Sequence, residues 1–228
     1  MGRARLRLLE RSAKIFILLF VGAALIACAS AWSQAVDSAV ALTGEDHLQN
    51  FLDEVQTVQA EFYQELWGAD DQIVEIAMGS LSLQRPNQFL WRYREPIEQL
   101  VLADGDNLWI YDVELAQATV TPLSDVIAAT PAMLLSGDQS VRDGFETLEN
   151  FTADGLSWVR LAPKIPGSDF LSILVGFRDG ELARLELIDG LDQLTRIGFS
   201  EVHINQELAA DLFSFEPADG VDVIGEPR

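Results

Sequence analysis

The chain has 228 residues, of which 49% are hydrophobic and 22% charged, enough apolar material for one packed domain and too much for a disordered chain. Fifteen Lys and Arg against 36 Asp and Glu give a net charge of −21. Residues 1–31 hold five of the basic residues and one acid, so beyond them ten basic residues face 35 acidic ones; such a surface repels phosphate and excludes nucleic-acid binding.

Residues 1–14 carry Arg3, Arg5, Arg7, Arg11 and Lys14. An apolar run, IFILLFVGAALIA, fills residues 15–27, and small residues follow to Ala31. This is the layout of a secretory signal peptide, and the run is short of the roughly 20 residues that a spanning helix needs. Ala29-Ser30-Ala31 predicts cleavage before Trp32, which makes residues 1–31 the signal peptide; its end falls between 28 and 35, since Ser33-Gln34-Ala35 is a second site. Leu25-Ile26-Ala27-Cys28 also resembles the bacterial lipobox, in which the cysteine is acylated and becomes residue one. Both readings export the mature chain. Residues 32–44 read as a flexible leader.

From Glu45 to Gln59, apolar residues at Leu48, Phe51, Leu52, Val55 and Val58 make the stripe of an amphipathic helix, with Thr43 as its cap. Short strands follow. The expected set is 59–67, 73–84, 88–94, 98–103, 107–112, 116–121, 156–162, 170–178, 181–189, 193–204 and 211–216, divided by turns such as Asp104-Gly105-Asp106 and Asp179-Gly180. The strand pattern stops between 122 and 155, where Thr130-Pro131 starts a short helix, Ala132 to Ser136, ended by Gly137. Short links between alternating strands make antiparallel neighbours. The predicted fold class is α+β, mainly antiparallel β: an unclosed, curved barrel of about eleven strands with helices across its mouth. One domain spans 45–224, and 225–228 is a tail.

The sequence has no G-x-S-x-G, P-loop, dinucleotide fingerprint or H-E-x-x-H. One cysteine and two histidines (His47, His203) leave little for metal or triad chemistry, and both histidines read as surface residues. Asp53-Glu54 and Asp70-Asp71 read as solvated acids, and Asn150-Phe151-Thr152 as a chance sequon. No enzyme activity, metal or cofactor is expected. What the chain has in excess is apolar strand surface, with Trp67, Trp91, Trp109 and Trp158 on it, which points to a core or to a lined cavity.

Five segments then occur in the order and spacing of one known family. Gln84-Arg85-Pro86-Asn87-Gln88-Phe89-Leu90-Trp91 resembles the R-P-N-x-F-x-W segment of the LolA family of lipoprotein carriers. Residues 103–112 resemble its D-G-x-x-L-W-x-Y turn and strand, Gln117-Ala118-Thr119 its Q-A-T strand, and Thr130 to Leu135 its T-P-x-x-L-L segment. Phe213-Ser214-Phe215-Glu216-Pro217 with Gly220-Val221-Asp222-Val223 resembles F-x-F-x-P…G-V-x-V.

The resemblance implies a helical lid over an apolar cavity for acyl chains. Arg85 matches the family's gating arginine, and Phe89, Trp91 and Trp109 fall on family strand positions near the cavity; Met133, Leu134 and Leu135, on the short helix inserted in the strand meander, are expected to belong to the lid and to line the acyl-chain cavity with them. It also implies a monomer in the periplasm that carries acylated lipoproteins. Its partners would be an inner-membrane lipoprotein-releasing ABC transporter of the LolCDE type and the outer-membrane acceptor LolB. LolB shares the fold and is lipidated, so Cys28 supports an alternative: a membrane-anchored, LolB-like acceptor or lipid-binding lipoprotein.

Overall fold

A computed structural model describes residues 41–125, 131–137, 143–164, 168 and 170–228. The signal peptide, the lipobox-like Cys28 and most of the leader lie outside the described residues.

Helix α1 spans Gly44–Glu54. The Thr43 hydroxyl accepts the Asp46 N–H at 3.1 Å and the Asp46 carboxylate accepts the Thr43 N–H at 2.8 Å, so two orphan donors at the helix start are satisfied reciprocally. Leu48, Phe51 and Leu52 form its buried stripe. The helix stops five residues short of the expected Gln59. Val55 is already extended, with φ −92° and ψ 116°. The β-branched Val55, Thr57 and Val58 favour a strand, and the ladder from Thr57↔Gln84 onward rewards it. Val58 is therefore buried from β1, not from the helix.

Strands β1 (Thr57–Trp67), β2 (Ile73–Gln84), β3 (Gln88–Glu95), β4 (Gln99–Asp104), β5 (Asn107–Asp112) and β6 (Gln117–Pro122) form one antiparallel meander. After α2 (Pro131–Ser136), strands β7 (Phe145–Ala153), β8 (Leu156–Pro163), β9 (Phe170–Arg178), β10 (Glu181–Asp189) and β11 (Leu194–Ile204) form a second. Strand β12 (Asp222–Ile224) pairs in parallel with β6. The order across the single sheet is β12-β6-β5-β4-β3-β2-β1-β11-β10-β9-β8-β7. The first and last long strands thus pair in the middle, and the sheet is open, with β12 and β7 as its edges.

Three strand expectations are corrected. The short, wholly exposed β12 was not among the expected strands. β7 was not expected, because all but two of its residues are exposed and it shows no alternation of apolar and polar residues. Residues 211–216 are not a strand. They are turn and irregular chain, and Phe213 and Phe215 pack down on the sheet from outside. Among the described residues no helix is long and apolar enough to cross a membrane.

Alternation sends the strands' side chains to two faces, and each face carries a buried cluster. On the concave face the largest cluster joins α1 and α2 to Val58, Phe62, Leu81, Leu83, Phe89, Trp91 and the inner residues of β8–β11. On the convex face a second cluster joins Leu90, Leu102, Trp109 and Val120 to Phe213. On β8 and β9, Leu156, Trp158 and Leu174 form a third.

Within the concave cluster Gly79 lies opposite both Phe62 and Tyr93. With no side chain between them, the two rings meet edge to face at 5.2 Å. The Tyr93 hydroxyl donates to Gln64 Oε1 at 3.3 Å. Burial, and then the charge of Glu75, push the Tyr93 phenol up to about 12. An unfolded tyrosine ionises near pH 10, so the stability Tyr93 contributes is fully present below about pH 10 and is lost as pH climbs through 12. The urea midpoint of the parent should fall across this window, and that of Tyr93→Phe should fall much less. Equal slopes would show that another group controls alkaline unfolding.

Candidate functional site

The concavity is filled by the two helices. Leu48, Phe51, Leu52 and Val55 from the α1 segment and Met133, Leu134 and Leu135 from α2 pack into the same cluster as Phe89 and Trp91. Leu134 is 2% exposed and Leu135 is 0% exposed. Met133, Leu134 and Leu135, expected in a lid, are thus part of the buried core cluster. The acyl-chain cavity implied by the resemblance is here occupied by the protein's own side chains.

One link between strands ties both helices down. Arg85 follows β2, and its Nε donates to the Val55 carbonyl at 2.7 Å while Nη1 donates to the Leu135 carbonyl. The guanidinium carbon stands 5.2 Å from the Phe51 ring centroid, a cation–π contact. Backbone bonds add to this: the Arg85 N–H donates to Gln56 O and the Asn87 N–H to Ser136 O, each at 2.9 Å. Asn87 sits at φ +60°, which its short polar side chain tolerates. The last turns of α1 and α2 expose carbonyls with no helical partner. The planar fork of Arg85 takes one carbonyl from each end, at a half-buried position where water competes weakly.

Trp109 does not join this group. Register explains why: Phe89↔Ala103 continues to Leu108, and that row faces the helices. Trp109 is one residue further on, opposite Leu102, and so points to the convex face. There its ring lies tilted against Phe215, with centroids 5.1 Å apart, and its indole N–H donates to Asp104 Oδ2 at 2.9 Å. Asp104 also accepts the backbone N–H groups of Asp106 at 2.9 Å and Asn107 at 2.7 Å through Oδ1. Burial alone would raise this carboxyl, but the bonds from Asn107, Trp109 and Asp106 outweigh it and hold Asp104 below the usual carboxylate range. Trp109 is a fastener for the turn and for the C-terminal segment.

Other residues were missed or read differently. Asn205, at the end of β11, accepts the Gln56 N–H at 2.7 Å and donates to the Glu54 carbonyl at 3.2 Å, capping α1. Nothing in the local pattern around Asn205 signals this. His47 is half-buried, its ring 5.8 Å from Phe177, while His203 is exposed. Asn150 of the sequon bonds Glu45 of α1.

Comparison with known proteins gives the same architecture a name. The model of the family described as outer membrane lipoprotein carrier protein LolA matches residues 53–216. An outer-membrane lipoprotein carrier protein of Nitrosospira multiformis is 40% identical over 185 residues, covering 81% of this chain and 89% of its own. One from Methylococcus capsulatus is 38% identical over 181 residues, covering 79% and 87%. Among solved structures, a LolA superfamily protein from Nitrosomonas europaea covers 77% of this chain and 99% of its own, at 12% identity and a TM-score of 0.47. With a family match from β1 through β11 and relatives of this identity over most of its length, the chain belongs to the LolA family of outer-membrane lipoprotein carrier proteins.

Proposed function

We propose that the protein is a periplasmic carrier that shields the acyl chains of lipoproteins against its concave face and releases them to an outer-membrane acceptor. The observation that carries this reading is the filled concavity, closed by two helices that a single arginine holds at once. Opening the lid would expose an apolar lining on sheet and helices together, which suits acyl chains and little else.

The energetics favour such a lid. Three acyl chains carry about 45 methylenes, and at ~0.8 kcal/mol each their complete removal from water is worth ~36 kcal/mol. Non-covalent affinities saturate near 18 to 21 kcal/mol, and a carrier at that ceiling would never deliver. Cargo here must displace Phe51, Leu134, Leu135 and their neighbours from the sheet, so the empty carrier's own packing offsets part of the gain. Handover stays possible because both states are well packed.

The finer roles follow the family's logic. The signal peptide exports the chain, an ABC transporter of the LolCDE type loads it, and LolB receives the cargo. The carrier acts as a monomer. Its acidic surface pairs with basic loops on these partners, which speeds encounter at low salt.

The direct test is titration of the cleaved protein with a fluorescent fatty acid, and by calorimetry with zinc and with ATP. Saturable binding of the acyl probe alone is expected. Saturable zinc or ATP binding without probe binding would overturn the reading.

A further inference from the structure

α1 is hydrogen-bonded to the sheet unequally at its two ends, although its buried Gly44 packs closely on the Trp158 backbone of β8. At its C-terminal end the chain runs directly into β1. Asn205 brackets the junction through Gln56 N–H and Glu54 O, and Arg85 holds the Val55 carbonyl. The Asn205 N–H donates to Thr57 O at 2.9 Å and the Thr57 hydroxyl to Gln206 O at 2.7 Å, so this end is stitched to the middle of the sheet.

At the N-terminal end the side-chain bonds converge on Glu45. Asn150 Oδ1 accepts the Glu45 N–H at 2.8 Å, Thr147 Oγ1 donates to Oε1 at 2.9 Å, and Asn150 Nδ2 donates to Oε2 at 3.2 Å. All three residues are exposed, so water replaces each bond at small cost. Their anchor, β7, is the outermost strand of the sheet, and parting from it breaks no ladder. Beside these bonds lies a cavity of about 200 Å³ between α1, α2, β7 and β8. Leu48, Leu52, Leu134 and Phe145 give it apolar walls, and Glu45 and Thr147 stand on its rim.

We propose that α1 swings on Val55–Gln56 and parts from β7 at Glu45, so that acyl chains of the cargo enter through the seam between α1 and β7. Glu45, Thr147 and Asn150 form the latch of that seam. Once parted they serve the polar head of the anchor: the carboxylate accepts amide N–H groups, and the hydroxyl and amide donate to ester carbonyls. This inference rests on the carrier reading and adds the direction of opening and the place of the headgroup.

Stopped-flow loading of a pyrene-labelled fatty acid tests it. Glu45→Ala should load about five-fold faster than the parent. Glu45→Gln, whose side-chain carbonyl still accepts one of the bonds from Thr147 and Asn150, should be accelerated less. In a Cys28→Ser chain, a bulky maleimide on Gln49→Cys, at the exposed edge of the seam, should slow loading about ten-fold. The same label on Leu191→Cys, on the exposed β10–β11 turn, should not. If the parent binds the probe and all four variants load at the parent rate, the seam is wrong and the carrier reading survives. If the parent does not bind the probe, the carrier reading falls and this inference with it. Thermal midpoints of the exposed-site variants should stay near the parent's; a labelled Gln49→Cys that melts early yet loads at the parent rate also counts against the seam.

Discussion

Arg85→Leu should load cargo normally and then fail to release it. The substitution removes two charge-assisted bonds, to Val55 O and Leu135 O, and the contact over Phe51. It also leaves those carbonyls enclosed without a donor. Bonds of this kind contribute roughly 1.5–3 kcal/mol each. All of that stabilisation belongs to the closed, empty state, so losing one or two bonds shifts the equilibrium toward the open form. Acyl affinity should then rise about ten-fold to a thousand-fold. Arg85→Lys should fall between, because an ammonium lacks the planar fork that spans two helix ends. The measurement is a two-step assay, loading from the transporter and then transfer to the acceptor. Normal transfer by Arg85→Leu, or failure at loading by a folded Arg85→Leu, would remove the gating role.

Gly79→Val should be the most destabilising single exchange in the sheet. A Cβ at Gly79 would stand 1.8 Å from the Arg92 carbonyl oxygen and 2.9 Å from the Phe62 ring. The first contact is with backbone and cannot be relieved by a rotamer change. The second would drive apart the Phe62–Tyr93 ring pair that closes over this residue. Overpacking of a close-packed core costs about 1–3 kcal/mol where side chains can yield, and a backbone clash puts this site at about 3 kcal/mol or more. Chemical denaturation of Gly79→Val and Gly79→Ala checks it. A loss below ~1 kcal/mol for the valine variant would mean that β2 and β3 separate freely here, and that the register irregularity between Met78 and Gly79 marks slack and not fit.

What could be read in the sequence follows from what is local. Strands such as β10 showed themselves because alternation, as in Leu185-Glu186-Leu187, is a property of neighbouring residues. Which face points inward did not show. Phe89-Leu90-Trp91 and Leu108-Trp109 are apolar on both faces, since helices cover one and the C-terminal segment covers the other. Only the ladder register puts Trp91 inside and Trp109 outside. β7 was silent because an edge strand with two solvated faces needs no apolar period. The end of α1 was misplaced because its terminator, Asn205, lies 149 residues from Gln56. Glu45 read as the start of the helical segment, and its bonds to Asn150, 105 residues on, left no local trace. Arg85 stood out through the family resemblance and not through its own neighbourhood.

The strand order has a mechanical consequence. β1 and β11 pair at the centre, so the sheet resembles an open book whose spine is the β1–β11 ladder, with β2–β6 and β12 as one cover and β10–β7 as the other. The free edges of the covers are β12 and β7. The covers can lean apart by added twist along the spine while every ladder bond stays made, because sheet twist varies widely at little cost. Capacity is then set by how far the covers lean, and the same chain can hold anchors of different bulk without any change in its bonded framework.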